Sequence, residues 1–240
     1  TLKTEVGALG DKRTYAEDSS CTKYSLKEVF NSYLQFGGMP GITELGLDQE
    51  KSLMLLDSVY STIIVRDILD LANLRDKGPI NDSVLLKKIV MFLSDNIGNN
   101  VSLSSIGNTL SNEGLLEDVK TKGKVSVHKL QYYVNSLLES FFFYEIKRFD
   151  IKGKEYLKTL GKYYIVDLGF RNLLLGYRNR DTGHVLENIV YLELLRRGYD
   201  VAIGKIDNLE IDFIAQKADE KLYIQVTDDM SISSVTQREL

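Results

Sequence analysis

The stretch from His184 to Thr227 constrains the fold more than any other part of the chain. Residues 184–197 carry Val185, Ile189, Leu192 and Leu195 at helical spacing, and Gly198 stops them. Three short strand patterns follow at 199–203, 209–215 and 222–226, with turns at Asp207-Asn208 and Ala218-Asp219-Glu220. An acid, Glu187, stands near the start of the helix, and a second, Asp212, lies on the middle strand. Helix and strands in this order bring carboxylates together, as metal-dependent phosphodiester hydrolysis requires. Such chemistry also needs a lysine to position or activate the attacking water. Where a Glu-x-Lys would complete the set, the chain reads Gln225-Val226-Thr227. An amide is a weaker ligand for a hard cation than a carboxylate, and threonine supplies no amine. The candidate catalytic residues Glu187, Asp212 and Gln225 therefore describe a degenerate site, with Glu187 and Asp212 as its metal ligands and Mg2+ as the ion they would hold. The alternation Glu210-Ile211-Asp212-Phe213 fits the polar face of an edge strand equally well.

Upstream, charge is unevenly spread. Between Lys120 and Lys162 stand ten basic residues and only four acids, an excess of +6 in a chain of net charge −4, so the remainder carries −10. A basic block in an acidic protein is an electrostatic footprint for nucleic acid, and a solvated lysine-rich face is the competing explanation. The block lies in a pattern of three helices, at 81–97, 102–110 and 126–139, followed by strands at 141–146 and 162–167. Helix-turn-helix followed by a basic hairpin is the pattern of a winged helix, whose third helix can enter the major groove. Lys124, Lys129, Lys147, Arg148, Lys152, Lys154 and Lys158 are the candidate nucleic-acid contacts. Many winged helices bind protein instead, and the long connection from Ser111 to Lys124 is unusual for a tight helix-turn-helix. His128 on the third helix reads as a polar surface residue.

The first 24 residues carry little periodicity and read as a loop or poorly ordered lead-in. Ser25 and Glu28 form a capping box for a helix over 26–36, which Gly37-Gly38-Met39-Pro40-Gly41 ends as a structural turn. A long helical pattern spans 49–74, with Arg66 and Asp67 inside its apolar stripe, and Gly78-Pro79 marks a boundary. A short helix at 168–175 and a polar linker at 176–183 precede the last unit. The fold class is thus α+β. The expected parts are a lead-in at 1–24, a helical region at 25–78, a winged helix at 79–176 and a small α/β unit at 177–240.

No apolar run reaches the roughly 18 residues that a membrane span needs, so membrane association is not expected. The single cysteine, Cys21, excludes a disulfide framework and points to the cytoplasm. The chain starts without Met and ends at Gln237-Arg238-Glu239-Leu240, which suggests a fragment truncated within its last unit.

From Tyr33 onward several segments together carry a resemblance. They are Phe36-Gly37-Gly38-Met39-Pro40-Gly41, Ile64-Val65-Arg66-Asp67-Ile68-Leu69, Lys162-Tyr163-Tyr164-Ile165-Val166-Asp167-Leu168-Gly169, His184-Val185-Leu186-Glu187-Asn188 and Glu210-Ile211-Asp212-Phe213-Ile214-Ala215. In this order they resemble the C-terminal half of prokaryotic AAA-superfamily ATPases that carry a C-terminal domain of unknown function. The resemblance implies a central winged helix and a restriction-endonuclease-like end, often without its lysine. It also implies a preceding P-loop core that uses ATP and Mg2+. That core is not within this sequence: no G-x-x-x-x-G-K-[ST] occurs, and Gly7-Ala8-Leu9-Gly10-Asp11-Lys12 has the wrong spacing. The expected activity is therefore a non-catalytic module without its own cofactor that engages DNA or a protein partner. A metal-dependent nuclease using Glu187, Asp212 and Gln225 is the alternative, and a protein-interaction module the second.

Overall fold

The stretch expected as a loop or poorly ordered lead-in over 1–24 instead supplies the strands of an antiparallel three-stranded meander. Its strands are β1 (Leu2–Val6), β2 (Lys12–Glu17) and β3 (Lys23–Ser25), paired in the order β1-β2-β3. Their side chains are mostly polar and exposed, so no apolar alternation betrays them in the sequence. A computed structural model describes residues 2–6, 12–18, 20–46, 48–64, 68, 83–112, 126–150, 155–156, 161–178, 182–206 and 209–227. The chain divides into two compact units, Thr1–Thr62 with Asp167–Tyr177, and Ile63–Val166 with Arg178–Leu240.

In the first unit, Ser25 caps α1 (Leu26–Phe36) through the expected capping box with Glu28. A 3-10 turn, Pro40–Leu45, leads to α2 (Gln49–Ser61), which Asp48 caps. Of the long helix expected over 49–74, Gln49–Ser61 is α-helical and residues 62–64 and 68 take wider π-type turns, the other positions lying outside the described residues. Arg66 and Asp67 lie outside the described residues, as does the boundary at Gly78-Pro79.

The glycine loop after α1 is held by a residue 129 positions away. Asp167 caps the helix at Leu168–Leu175, accepting from the Gly169 N–H at 2.7 Å, and its other oxygen accepts from the Gly38 N–H at 2.7 Å. Gly37 sits at φ 76, ψ −163, a region open to glycine alone. A Cβ there would lie 1.7 Å from the Asp167 carboxylate, and one on Gly169 would lie 2.3 Å from the Phe36 carbonyl oxygen. Asn172 adds bonds to the carbonyls of Leu34 and Gln35. The structural turn expected of this loop is therefore a turn fitted around one buried carboxylate.

The second unit begins with α3 (Ser83–Asp95), whose Leu85, Leu86, Ile89, Val90 and Leu93 are all buried at helical spacing. Then come β4 (Asn100–Val101), α4 (Leu103–Asn112) and α5 (Val127–Glu139), the last capped by Ser126. β5 (Phe143–Ile146) and β8 (Gly161–Ile165) pair antiparallel, and β4 joins on the other side of β8 to give the order β4-β8-β5. Three helices and then a strand pair follow one another in the chain order the sequence suggests.

The strand pair, however, is not a free wing. Between its strands, β6 (Arg148–Asp150) and β7 (Glu155–Tyr156) leave for a second sheet, where β6 runs parallel to β9 (Asp200–Ile206). That sheet has the order β11-β10-β9-β6-β7, with β10 at Leu209–Lys217 and β11 at Glu220–Ile224. The Leu168–Leu175 helix is α6, and it belongs to the first unit; α7 (Thr182–Arg196) packs on the sheet. Tyr164 from β8, Tyr191 from α7 and Phe213 from β10 share one buried aromatic cluster with Ile146, Ile203 and Ala215. The parts expected as separate domains at 79–176 and 177–240 thus close over a common core. The fold is α+β, and among the described residues no helix is long and apolar enough to cross a membrane.

Gly37→Ala should lower stability by about 3 kcal/mol or more, combining strain at that backbone conformation with the clash on Asp167. Gly46→Ala, at φ 60 with open space around it, should cost only about 1–2 kcal/mol. Urea midpoints of the two variants check the order.

Candidate functional site

The carboxylates that the sequence singles out meet at a residue counted among the basic block. Glu187 projects from the second turn of α7, and its helix neighbour Asn188 is fully buried. The Asn188 amide accepts from the Ile165 N–H and donates to the Ile165 carbonyl, both at 2.9 Å, clamping α7 to β8 as a strand partner would. That clamp sets Glu187 beside Lys162 and Tyr164, which share one face of the strand. The Tyr164 hydroxyl donates to Glu187 Oε2 at 3.0 Å, and Lys162 Nζ stands 3.4 Å from the same oxygen.

β10 supplies the other acids. Its register against β9 shifts between Ile211 and Ile214, so that Asp212 and Phe213 together face one residue of the partner strand. A bulge of this kind re-aims side chains. Phe213 enters the aromatic core while Asp212, 7% exposed, reaches the lysine. Lys162 Nζ lies 2.9 Å from Glu210 Oε1 and 4.0 Å from Asp212 Oδ1. Glu210 Oε2 also takes Arg148 from β6 and Asn100 from β4, each at 3.3 Å. Asp212 Oδ2 accepts from the Val226 N–H at 2.8 Å. His184 Nδ1 is 3.5 Å from Glu187 Oε1, a pair that is ionic only when the imidazole is protonated.

The electrostatics follow from this crowding. Burial weighs against the Lys162 charge, but the Glu187 carboxylate, then Glu210 and Asp212, outweigh it and hold the ammonium above the usual lysine range. Burial likewise pushes Glu187 up. The neighbouring His184 imidazole, the Lys162 charge and the Tyr164 hydroxyl overcome that push and hold it below the ordinary carboxylate value. Burial and the neighbouring Glu187 push the Tyr164 hydroxyl far up, so it acts as a neutral donor. Three carboxylates thus share two fixed cations, Lys162 and Arg148.

Of the expected catalytic trio, Glu187 and Asp212 come together through Lys162, and Gln225 stands beside Asp212. Gln225 is exposed, and its side-chain oxygen accepts from the Asp212 backbone N–H at 3.4 Å. Lys162, Glu210, Tyr164 and His184 join the site without having been expected there, and Arg148 joins it in place of a nucleic-acid contact. The alternation Lys162-Tyr163-Tyr164 is a usable signal, since it puts a lysine and a tyrosine on one face of a buried strand. Of the expected nucleic-acid contacts, Lys147 is exposed, Lys129 is half-buried with its ammonium 6.0 Å from the centre of the Tyr133 ring, and Arg148 turns inward. Lys124, Lys152, Lys154 and Lys158 lie outside the described residues.

A divalent ion does not fit this arrangement. The ammonium takes the point on which the three carboxylates converge. Among the described residues no group of three or more His, Cys, Asp and Glu is placed to hold a metal.

A family described as a domain of unknown function (DUF8612) matches residues 27–181. The chain belongs to that family. The matched stretch includes Arg148 and Lys162 but stops short of Glu187, Glu210 and Asp212. An uncharacterized protein of Haemophilus influenzae is 40% identical over 199 residues, covering 83% of this chain and 46% of the relative. An uncharacterized protein of Methanocaldococcus jannaschii is 28% identical over 200 residues, covering 82% and 41%. The chain therefore spans less than half the length of these curated relatives. No solved structure matches.

Lys162→Met should cost about 3–5 kcal/mol at neutral pH, because it leaves buried carboxylates uncompensated. Glu187→Gln should show a pH signature. A carboxyl held low in the fold stabilises above its unfolded value, and that stability is lost as pH falls through the lower folded value. The stability difference between wild type and Glu187→Gln should be full at pH 7 and close in acid, as read by urea titrations across pH.

Proposed function

We propose that this chain is the non-cutting C-terminal part of a longer prokaryotic AAA-type ATPase, a cytoplasmic protein, in which an endonuclease-like core carries a winged helix that engages DNA. The observation that supports the non-cutting reading best is the Lys162 ammonium, which stands within 4.0 Å of Glu187, Glu210 and Asp212. Hydrolysis of a phosphodiester by this core would need those oxygens on a metal. The three-helix arrangement and the basic excess between Lys120 and Lys162 support nucleic acid as the partner. The length of the relatives beyond the matched region leaves room for a P-loop core that would bind ATP and Mg2+.

The inward turn of Arg148 and Lys162 narrows the contact surface. Two of the ten basic residues in the block serve the interior, so the phosphate contacts fall to the remaining lysines, Lys124, Lys129, Lys147, Lys152, Lys154 and Lys158 among them.

The chain should bind duplex DNA at low salt with an affinity that falls steeply as salt rises. Replacing Lys152, Lys154 and Lys158 together by alanine should weaken binding for all sequences. It should also reduce the salt slope by about one unit for each phosphate no longer neutralised. The wild-type chain should leave the same DNA intact in Mg2+ or Mn2+. No binding at low salt sinks the DNA reading, and salt-insensitive capture of a protein would replace it. Metal-dependent cleavage abolished in Asp212→Ala would establish the nuclease instead.

A further inference from the structure

The geometry points to Lys162 as the resident cation of the endonuclease-like core, a covalently tethered replacement for the divalent ion that converging carboxylates would otherwise take. This rests on the non-cutting reading above and adds what occupies the site and why. Four of the six carboxylate oxygens have a donor within 3.4 Å, and the other two face the His184 imidazole at 3.5 Å and the Lys162 ammonium at 4.0 Å. Glu187 Oε1 has His184 at 3.5 Å, and Oε2 has Tyr164 at 3.0 Å and Lys162 at 3.4 Å. Glu210 Oε1 has Lys162 at 2.9 Å, and Oε2 has Arg148 and Asn100 at 3.3 Å. Asp212 Oδ1 has Lys162 at 4.0 Å, and Oδ2 has the Val226 N–H at 2.8 Å. A lysine that merely assists a metal would leave oxygens of Glu187 and Asp212 facing one open point, and here Nζ itself stands at that point.

The lysine is also enclosed. Its side chain is 5% exposed. The backbone at Gly98 presses on the cluster so closely that a Cβ there would lie 2.8 Å from His184 Nδ1 and 3.0 Å from Glu187 Oε2. Gly98 takes φ 71 and donates its N–H to the Tyr163 carbonyl, so the loop is anchored to the lysine's own strand. The donors Asn100 and Lys162 come from the three-stranded sheet, and the acids come from α7 and β10. The cation therefore joins that sheet to the five-stranded one, a task a diffusible ion performs only while bound.

Removing the tethered cation should recreate a demand for a free one. In a Mn2+ titration of the full chain, Lys162→Ala should bind at least about tenfold more tightly than wild type, and Lys162→Ala with Asp212→Asn should lose the gain. Should Lys162→Ala unfold at neutral pH, Mn2+ should restore its helical circular dichroism, and no such restoration should occur in the double variant. Mn2+ binding by the wild-type chain that vanishes in Asp212→Asn overturns the inference, as does a Lys162→Ala chain that neither gains Mn2+ nor is restored by it. Wild-type binding without DNA cleavage would sink this inference alone, and cleavage would sink the non-cutting reading too.

Discussion

One ammonium group holds the second unit together. Lys162 leaves β8, the central strand of the three-stranded sheet, and ends among acids from α7 and β10. A lone buried ammonium would be expensive, and so would three buried carboxylates. Together, with Arg148, Asn100, Tyr164 and a backbone N–H completing the hydrogen bonds, the desolvation on each side is offset by the other. The wall beside the cluster is aromatic, with Tyr164 and Tyr191 stacked at 4.9 Å and Phe213 5.8 Å from Tyr164. Tyr164 belongs to both environments, its ring in the apolar cluster and its hydroxyl on Glu187.

That dual membership explains why the two sheets form one unit. The three helices and their strand pair alone would expose the lysine-bearing face of β8. A five-stranded sheet covered only by α7 would leave Asp212 without a cation. β6 and β7 complete the exchange by leaving the strand pair and adding two strands to β11-β10-β9, which makes the five-stranded sheet. The segment that could have served as a wing is spent on packing, which is also why Arg148 points inward.

Much of this is legible residue by residue. The helix bounds of α1 and α6 follow from Ser25 with Glu28, from Asp167, and from the glycines that end them, because caps are local chemistry. Glu187 and Asp212 are legible as candidates because an acid near a helix start and another on the middle strand after it stand in the order a carboxylate site needs. The bulge that lets Asp212 and Phe213 both face inward leaves no mark in the alternation. Three further things are not legible. The β1 to β3 meander hides because its strands are polar on both faces, so alternation carries no signal. The departure of β6 hides because a short strand gives no hint of which sheet it pairs with. Lys162 hides because a count of surface charge treats every lysine alike, and only tertiary structure decides which one is desolvated. Thr227 in the place of a lysine suggests a core without an amine, whereas the core has one that arrives from sequence far upstream.

The segment Lys162-Tyr163-Tyr164-Ile165-Val166-Asp167-Leu168-Gly169 supplies both units with a buried charge. Its first half serves the second unit: Lys162 and Tyr164 reach the carboxylates, and Ile165 is clamped by Asn188. Its second half serves the first: Asp167 caps α6 and receives Gly38, and Gly169 lets the Phe36 carbonyl approach. A single strand end thus carries a buried lysine and a buried aspartate, each of which fixes a different element from a distant part of the chain. Changing either one removes the partner of a group buried elsewhere. These two positions answer to partners fixed by other segments, and their chemistry is set by the fold rather than by the strand.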